Sequence, residues 1–410
     1  DANPGSGDDE FNARSNTIES AIIDGSGGTD TLNVRMDDGG NVVPAVVENV
    51  ERVFIDGRSD SFVDASAFEG VNEWWSDGSR VGDADMDGTE TNAGGSVQVQ
   101  DIETLATVGM TGAHGNPGAE SGDHTVFNPQ FDSAVTSEND AVDVVLDSVA
   151  TRNSETNLTR DDSSGATGEE VNAFLQNAGA LDLAGFATMN ITTQGEDSTL
   201  AELTGDAETL NIDGDAGLTI GGLLDDGQDL DASVTTINAG DMTGGLSLDA
   251  GDVAVNEAET NFEATTGSGS DSIDVSSITN SNIDNPNATI TVSTGAGDDF
   301  VIGPRLGAQA DGNFDGTLNL DGGDGSDTIF LNVAQTSNVG DFESFQALKN
   351  VTFANFETAD LSFESSNQAR FDAGQIDSLS TIELNAGVNS NNAFEVVNAS
   401  GVGEIVVETQ

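Results

Sequence analysis

The sequence predicts an all-β fold: a parallel β-solenoid (β-roll or β-helix) with coils of about 28 residues, plus an irregular inserted region with one short helix. Three observations predict it. A phrase rich in glycine and aspartate, G-x-G-x-D followed by an apolar residue, recurs at a constant 28-residue step. Short strands of the type Thr-Leu-Asn-(apolar) recur between these phrases. A third phrase, an acidic or amide residue followed by small residues, suits a tight corner. Self-similarity at a fixed period marks stacked coils, each too small to bury its apolar face alone.

The loop phrase is most complete at Asp321-Gly322-Gly323-Asp324-Gly325-Ser326-Asp327-Thr328-Ile329-Phe330, which fits G-G-x-G-x-D-x-U-x. Glycines there reach φ > 0 and leave loop carbonyls able to point at an ion. Asp327 supplies a hard carboxylate oxygen, which suits Ca2+ better than a transition metal. The apolar residue that follows turns into the core. Asp299 lies 28 residues before Asp327, and Asp271 a further 28 before that. Near the start, Asp9 and Asp30 carry the same theme 21 residues apart. Candidate Ca2+ ligands are therefore Asp9, Asp30, Asp271, Asp299, Asp324 and Asp327, set among Gly267, Gly269, Gly295, Gly297, Gly322, Gly323 and Gly325. The bland alternative is a set of acidic turns facing water, because Gly and Asp favour turns anyway.

A different calcium pattern stands at Asp83-Ala84-Asp85-Met86-Asp87-Gly88, where alternate carboxylates converge as the glycine turns the chain. Gly94 occupies the position at which an EF-hand has its closing Glu, and no flanking helix is evident, so Asp83, Asp85 and Asp87 form a D-x-D-x-D-G loop without that frame.

Strands are expected at Thr31-Leu32-Asn33-Val34, Thr209-Leu210-Asn211-Ile212 and Thr317-Leu318-Asn319-Leu320, with variants at Met189-Asn190-Ile191 and Ile382-Glu383-Leu384. Corners are expected at Val63-Asp64-Ala65-Ser66, Asp274-Val275-Ser276, Phe371-Asp372-Ala373-Gly374 and Val397-Asn398-Ala399-Ser400. The pattern divides the chain into N-terminal coils (1–69), an irregular insertion (70–180) and a main solenoid (181–410). Within the insertion, Thr167-Gly168-Glu169-Glu170 reads as a capping box, with Val171, Phe174 and Leu175 at helical spacing and Gly179 as a stop. A second short helix is expected over 341–348. Trp74-Trp75 reads as core by default, or else as a sugar-stacking platform or interface anchor. His114 and His124 read as surface histidines, since no zinc-completing set surrounds them.

Charge bounds the function. The 410 residues carry 74 acidic and 10 basic side chains, a net −64. Like charges in contact repel by about 1 kcal/mol in water and about 4 kcal/mol at an effective dielectric near 20. Such a chain needs bound cations or high salt to stay compact. Nucleic acid and anionic membrane surfaces are implausible partners without Lys/Arg clusters. The absence of cysteine removes disulfides and thiolate metal sites, and no apolar run approaches the ~18 residues that span a bilayer. A first residue of Asp rather than Met leads us to expect a processed or excised chain. Low Lys, no Cys and abundant Gly, Asp, Asn, Thr and Ser point outside the cell.

The loops ending in Asp271, Asp299 and Asp327, with the phrases Ile102-Glu103-Thr104-Leu105 and Ala207-Glu208-Thr209-Leu210, resemble the repeats-in-toxin (RTX) calcium-binding β-roll proteins, and among them the calcium-dependent bacterial S-layer proteins. The likeness covers about two thirds of the chain. It implies a parallel β-roll that folds outside the cell on meeting Ca2+ and assembles into lattices or filaments. The chain departs from that group in having one loop per long coil rather than tandem nine-residue repeats.

The leading expectation is thus an extracellular, Ca2+-stabilised structural protein that self-assembles into a cell-surface layer or fibre, with several Ca2+ ions, itself as partner and cell-surface polysaccharide as a further one. A calcium-dependent adhesin is the alternative. A β-helix polysaccharide-active enzyme ranks lower, because the chain lacks the clustered basic residues that hold acidic sugars and tune proton transfer. A carboxylate-pair glycosidase stays open, since 74 acids hide any pair. We expect no enzyme. Adaptation to a saline habitat would explain the charge alone, not its register.

Overall fold

The computed structural model of the chain describes residues 5–37, 40–79, 95–114, 125–150, 178–221, 233–250, 261–276, 278, 289–303, 316–333, 351–363, 369–386 and 394–409. The chain forms two compact units, Asp1–Asp231 and Ala232–Gln410. In both, the strands pair in parallel and two sheets alternate along the chain, as in a parallel β-solenoid.

In the first unit one sheet runs through Glu10–Arg14, Thr31–Met36, Arg52–Gly57, Glu73–Asp77, Thr107–Thr111, Ala141–Asp147, Thr188–Gln194 and Thr209–Gly214. The facing sheet holds Gly40–Val42, Ser61–Asp64, Ser96–Ile102, Thr125–Phe131, Gly179–Leu183, Ser198–Gly205 and Leu218–Ile220. Alternation sets the faces. Leu32, Val34 and Met36 are buried, whereas Thr31, Asn33 and Arg35 point outward. Identical alternation on each coil stacks Phe11, Leu32, Val53, Trp74 and Val108 in one inward column.

The second unit repeats the plan. One sheet comprises Thr236–Asn238, Asn261–Thr265, Thr289–Ser293, Thr317–Asp321 and Val351–Ala354. The other comprises Leu246–Asp249, Ser272–Asp274, Phe300–Ile302, Thr328–Val333, Thr358–Phe363, Thr381–Ala386 and Glu404–Thr409. Ile273, Val301, Ile329, Ala359 and Ile382 form a column in register, and none has exposed surface. Each larger member contributes about 1.5–3 kcal/mol of burial.

Coil length is less uniform than the 28-residue expectation. The 28-residue step holds from Asn261 through Thr289 to Thr317, while Glu10, Thr31, Arg52 and Glu73 are spaced by 21. Between 70 and 180 the expected irregularity is corrected: Glu73–Asp77, Ser96–Ile102, Thr107–Thr111, Thr125–Phe131 and Ala141–Asp147 all belong to the two sheets. Coils there lengthen to 34 residues from Glu73 to Thr107 and 47 from Ala141 to Thr188. The strands keep their register while the connections vary, which erases the constant step from the sequence. Pro129 lies inside a strand opposite Val99, and the partner strand accommodates its missing N–H donor with a register shift between Val99 and Ile102, where Asp101 has φ 57°.

The expected helix after Thr167 and the one over 341–348 fall outside the described residues, and Gly179 opens a strand. Two short helices were not foreseen, Ser15–Ile18 and Ser133–Glu138, the latter capped by Asp132 accepting from Ala134 N at 2.7 Å. The corner phrases act as read: the side chains of Asp64, Asp274 and Asp372 accept the amides of Ser66, Ser276 and Gly374 at 2.8–3.1 Å. Trp74 is core. Trp75 is on the opposite face yet only 8 % exposed, stacked on Phe54 at 5.3 Å and lying over Gly109, where a Cβ would collide with its indole.

Replacing Leu32 or Ile329, one from each unit's fully buried column, by Ala should cost about 2–5 kcal/mol. Urea unfolding of each variant checks this, and a loss near zero would contradict the assigned register.

Candidate metal-binding columns

Each loop aspartate is the residue immediately before a strand, of one sheet for Asp9 and Asp30 and of the other sheet for Asp271, Asp299 and Asp327. Asp9, Asp30, Asp271, Asp299 and Asp327 precede strands that begin at Glu10, Thr31, Ser272, Phe300 and Thr328. Equal spacing therefore stacks them. The structure brings Asp9 and Asp30 together in the first unit, and Asp271, Asp299 and Asp327 in the second.

Each column is held by a directional hydrogen-bond ladder. The amide of one acid donates to the carboxylate of the acid one coil later: Asp9 N to Asp30 Oδ1 at 2.7 Å, Asp271 N to Asp299 Oδ1 at 2.8 Å, Asp299 N to Asp327 Oδ1 at 2.9 Å. The carbonyl of the earlier acid accepts from the next strand's first amide, as in Phe300 N to Asp271 O and Thr328 N to Asp299 O, both 2.8 Å. The ladders continue onto two glutamates the loop motif does not contain. Asp30 N donates to Glu51 Oε2 at 2.7 Å, and Asp327 N to Glu357 Oε2 at 2.9 Å. Sequence reading missed both; the signal was the phrase Asn-x-Glu, Asn49-Val50-Glu51 and Asn355-Phe356-Glu357, one coil beyond the last loop.

Where two aspartates adjoin, the clamp is reciprocal. Asp298 Oδ1 accepts Ser326 N at 3.0 Å while Asp327 reaches back to Asp299 N. Asp8 Oδ1 accepts Thr29 N at 2.8 Å while Asp30 reaches back to Asp9 N.

Glycine is required where coils touch. Gly323 has φ 85°, and a Cβ there would run into the Gly295 carbonyl. Gly325 meets the Gly297 carbonyl in the same way, and Gly267 and Gly269 abut the carbonyls of Met242 and Gly244. The Gly267 and Gly295 carbonyls, expected to be free to point at an ion, accept Ala296 N and Asp324 N at 2.8 Å and so tie these loops to one another. Asp324 itself is exposed, Asp9 is half-buried, and Asp30, Asp271, Asp299 and Asp327 are at most 3 % exposed.

Burial makes the unused oxygens informative. Asp271 Oδ2 receives the Thr266 hydroxyl at 2.6 Å. The corresponding hydroxyl of Thr294 goes to the Gly322 carbonyl at 2.9 Å, and Gly322 itself has none to give. Among the described residues, Asp299 Oδ2 and Asp327 Oδ2 are buried without a hydrogen-bond partner, and so is Asp30 Oδ2. An orphaned buried acceptor costs about 1–3 kcal/mol, more when charged. Carboxylates one coil apart, about 4.8 Å, also repel by about 3–4 kcal/mol at an effective dielectric near 20.

The acids respond as expected. Burial pushes Asp271 up to about 6, offset in part by Thr266 and the Leu246 amide, with the Asp299 charge adding to the rise. Burial likewise pushes Asp327 up to about 6 against the Asp299 amide, helped by the charges of Asp299, Glu357 and Asp298. Asp299 is raised by burial too, opposed by the Asp271 amide and by the Thr294 hydroxyl, which stands nearby although its hydrogen bond goes to Gly322 O, and raised further by Asp298.

The donors are all hard oxygens, and three buried carboxylate oxygens have no other use, which fits Ca2+ rather than a softer metal. Among the described residues no three His, Asp or Glu side chains converge on one point, so an ion here would have to draw on backbone carbonyls as well. Asp83, Asp85, Asp87 and His124 lie outside the described residues. His114, expected at the surface, is instead wholly buried, its ring nitrogens 3.0 Å from Gly112 O and Ser76 Oγ; the polar core formed by Ser76 and Ser79 supplies the partners that burial demands. Compared with known proteins, the chain matches no family model, no curated protein and no solved structure.

Asp271 and Asp327 hold a proton more tightly in the fold than in the unfolded chain, so their contribution to stability is full below about pH 4 and is lost as pH rises through about 6. In calcium-free buffer the thermal midpoint should therefore fall from about pH 4.5 to pH 7, and D271N with D327N should flatten part of that slope. A midpoint that climbs over the same range would refute the assignment.

Proposed function

We propose that this chain is an extracellular structural protein whose coils are stabilised by Ca2+ and which assembles with copies of itself into a surface layer or fibre. The observation that carries the reading is the two stacks of buried aspartates whose second oxygens at Asp30, Asp299 and Asp327 have no hydrogen-bond partner among the described residues. Without a counter-ion, such a stack in a chain of net charge −64 opposes its own folding. With divalent cations at extracellular levels, sites of roughly 10⁻⁴–10⁻³ M affinity fill, and the binding free energy becomes folding free energy.

Self-association is supported by the strand Glu404–Thr409, whose Ile405 and Val407 stand in core register with Ile382 and Leu384. They are nevertheless 48 % and 56 % exposed. An edge with bare apolar residues accepts a further strand, from another copy or from chain beyond residue 410; in the proposed assembly head-to-tail contacts between copies propagate into open arrays.

Circular dichroism during Ca2+ titration, followed by electron microscopy, tests both halves. Excess EGTA should abolish most of the β signal, and restoring Ca2+ should yield sheets or filaments. An unchanged spectrum in EGTA, or recovery with KCl alone, would replace this reading with simple salt adaptation.

A further inference from the structure

The two Asn-x-Glu phrases that end the acid columns share more than a hydrogen bond. In the first unit Asp24-Gly25 opens the loop that closes at Asp30, and Asn49 on the next coil donates its side-chain amide to Asp24 Oδ1 at 2.8 Å. In the second unit Asp321-Gly322 opens the loop that closes at Asp327, and Asn355 donates to Asp321 Oδ1 at 2.7 Å. Both asparagines are left-handed, with φ 53° and 56°, and the conformation turns each main-chain carbonyl toward the loop glycine. The Asn49 carbonyl and Asp30 Oδ2 both lie within 2.5 Å of the point a Cβ on Gly25 would occupy. At Gly322 the same point lies against the Asn355 carbonyl and within 3.0 Å of Asp327 Cγ. At Gly25 the two oxygens lie so close to one point that a single cation can reach both at metal–oxygen distances of about 2.3–2.6 Å.

We propose that Asp30, the Asn49 carbonyl and Glu51 form one divalent-cation site, and Asp327, the Asn355 carbonyl and Glu357 a matched one, each spanning two coils and closed by its Asn-x-Glu phrase. The orphaned, fully buried Asp30 Oδ2 is the oxygen aimed into the first cradle, and Asp327, whose Oδ2 is likewise buried without a partner among the described residues, borders the second. The glycine is what keeps each cradle open. A third Asp–Asn clamp gives the contrast: Asn398, φ 55°, donates to Asp372 Oδ1 at 2.8 Å. There the glycine is replaced by Ala373, and the residues before the two following strands are Ser380 and Gly403 rather than acids. At this third clamp the backbone arrangement is present while the glycine and the acids are both missing.

This inference rests on the proposed Ca2+ dependence and refines it, so the test separates the two. The full chain is dialysed to equilibrium against labelled Ca2+, and bound ions are counted for the native protein, E51Q, E357Q and the exposed control E69Q. The glutamine variants keep an oxygen to accept the Asp30 and Asp327 amides while losing the charge. Each should lose one ion per chain, or bind it at least tenfold more weakly, and E69Q should match the native count. Unchanged counts in E51Q and E357Q, in a protein that still needs Ca2+ to fold, overturn these two sites and leave the broader reading standing. No bound Ca2+ in the native protein overturns both. If a variant fails to fold, anomalous scattering from terbium in crystals of the native protein decides: peaks beside Asp30 Oδ2 and Asp327 Oδ2 support the sites, and their absence there refutes them.

Discussion

Like-charged side chains stacked one coil apart are the constraint to which the rest of each unit answers. A parallel ladder repeats whatever it contains, so an aspartate placed before one strand stands above an aspartate before the next. Three devices make this tolerable. A backbone amide from the preceding coil is directed at one carboxylate oxygen of each acid that follows. Glycines let the coils approach until carbonyls of one loop meet Cα atoms of the next. The raised proton affinity of Asp271 and Asp327 measures the repulsion and desolvation that remain.

Much of this was legible in the residues. The 28-residue recurrence of G-x-G-x-D fixed the column Asp271, Asp299, Asp327, because equal spacing in a parallel ladder has to become vertical alignment. The Thr-Leu-Asn phrases became strands for the same reason. What was hidden falls into two kinds. The strands between Glu73 and Asp147 went unread because coil length varies there, and periodicity is invisible when the period drifts. Glu51 and Glu357 went unread because a glutamate one methylene longer replaces aspartate at the end of the ladder, outside any glycine motif, and only the fold reveals that they occupy the same position. The left-handed asparagines belong to this second kind, since Asn is common throughout the chain.

Polarity matters in these ladders. Each acid gives its amide forward and receives one from behind, so a column has a beginning and an end that differ. The half-buried Asp9 stands at one such beginning. Glutamate is suited to the end, because its longer side chain reaches back to the preceding amide while its own amide bonds to the preceding carbonyl: Glu357 N to Asp327 O at 3.0 Å, Glu51 N to Asp30 O at 3.1 Å. From that coil onward no carboxylate takes part: the Glu357 carbonyl accepts Ser380 N at 2.9 Å and the Ser380 hydroxyl at 3.1 Å.

The drift in coil length has a practical corollary. Neighbouring strands keep residue-for-residue register whether 21 or 47 residues separate them. The connections are thus free of the pairing rules that govern the strands. Strand pairing in this chain survives a coil more than doubled in length, so insertions and deletions are absorbed by the connections while the sheets go on undisturbed.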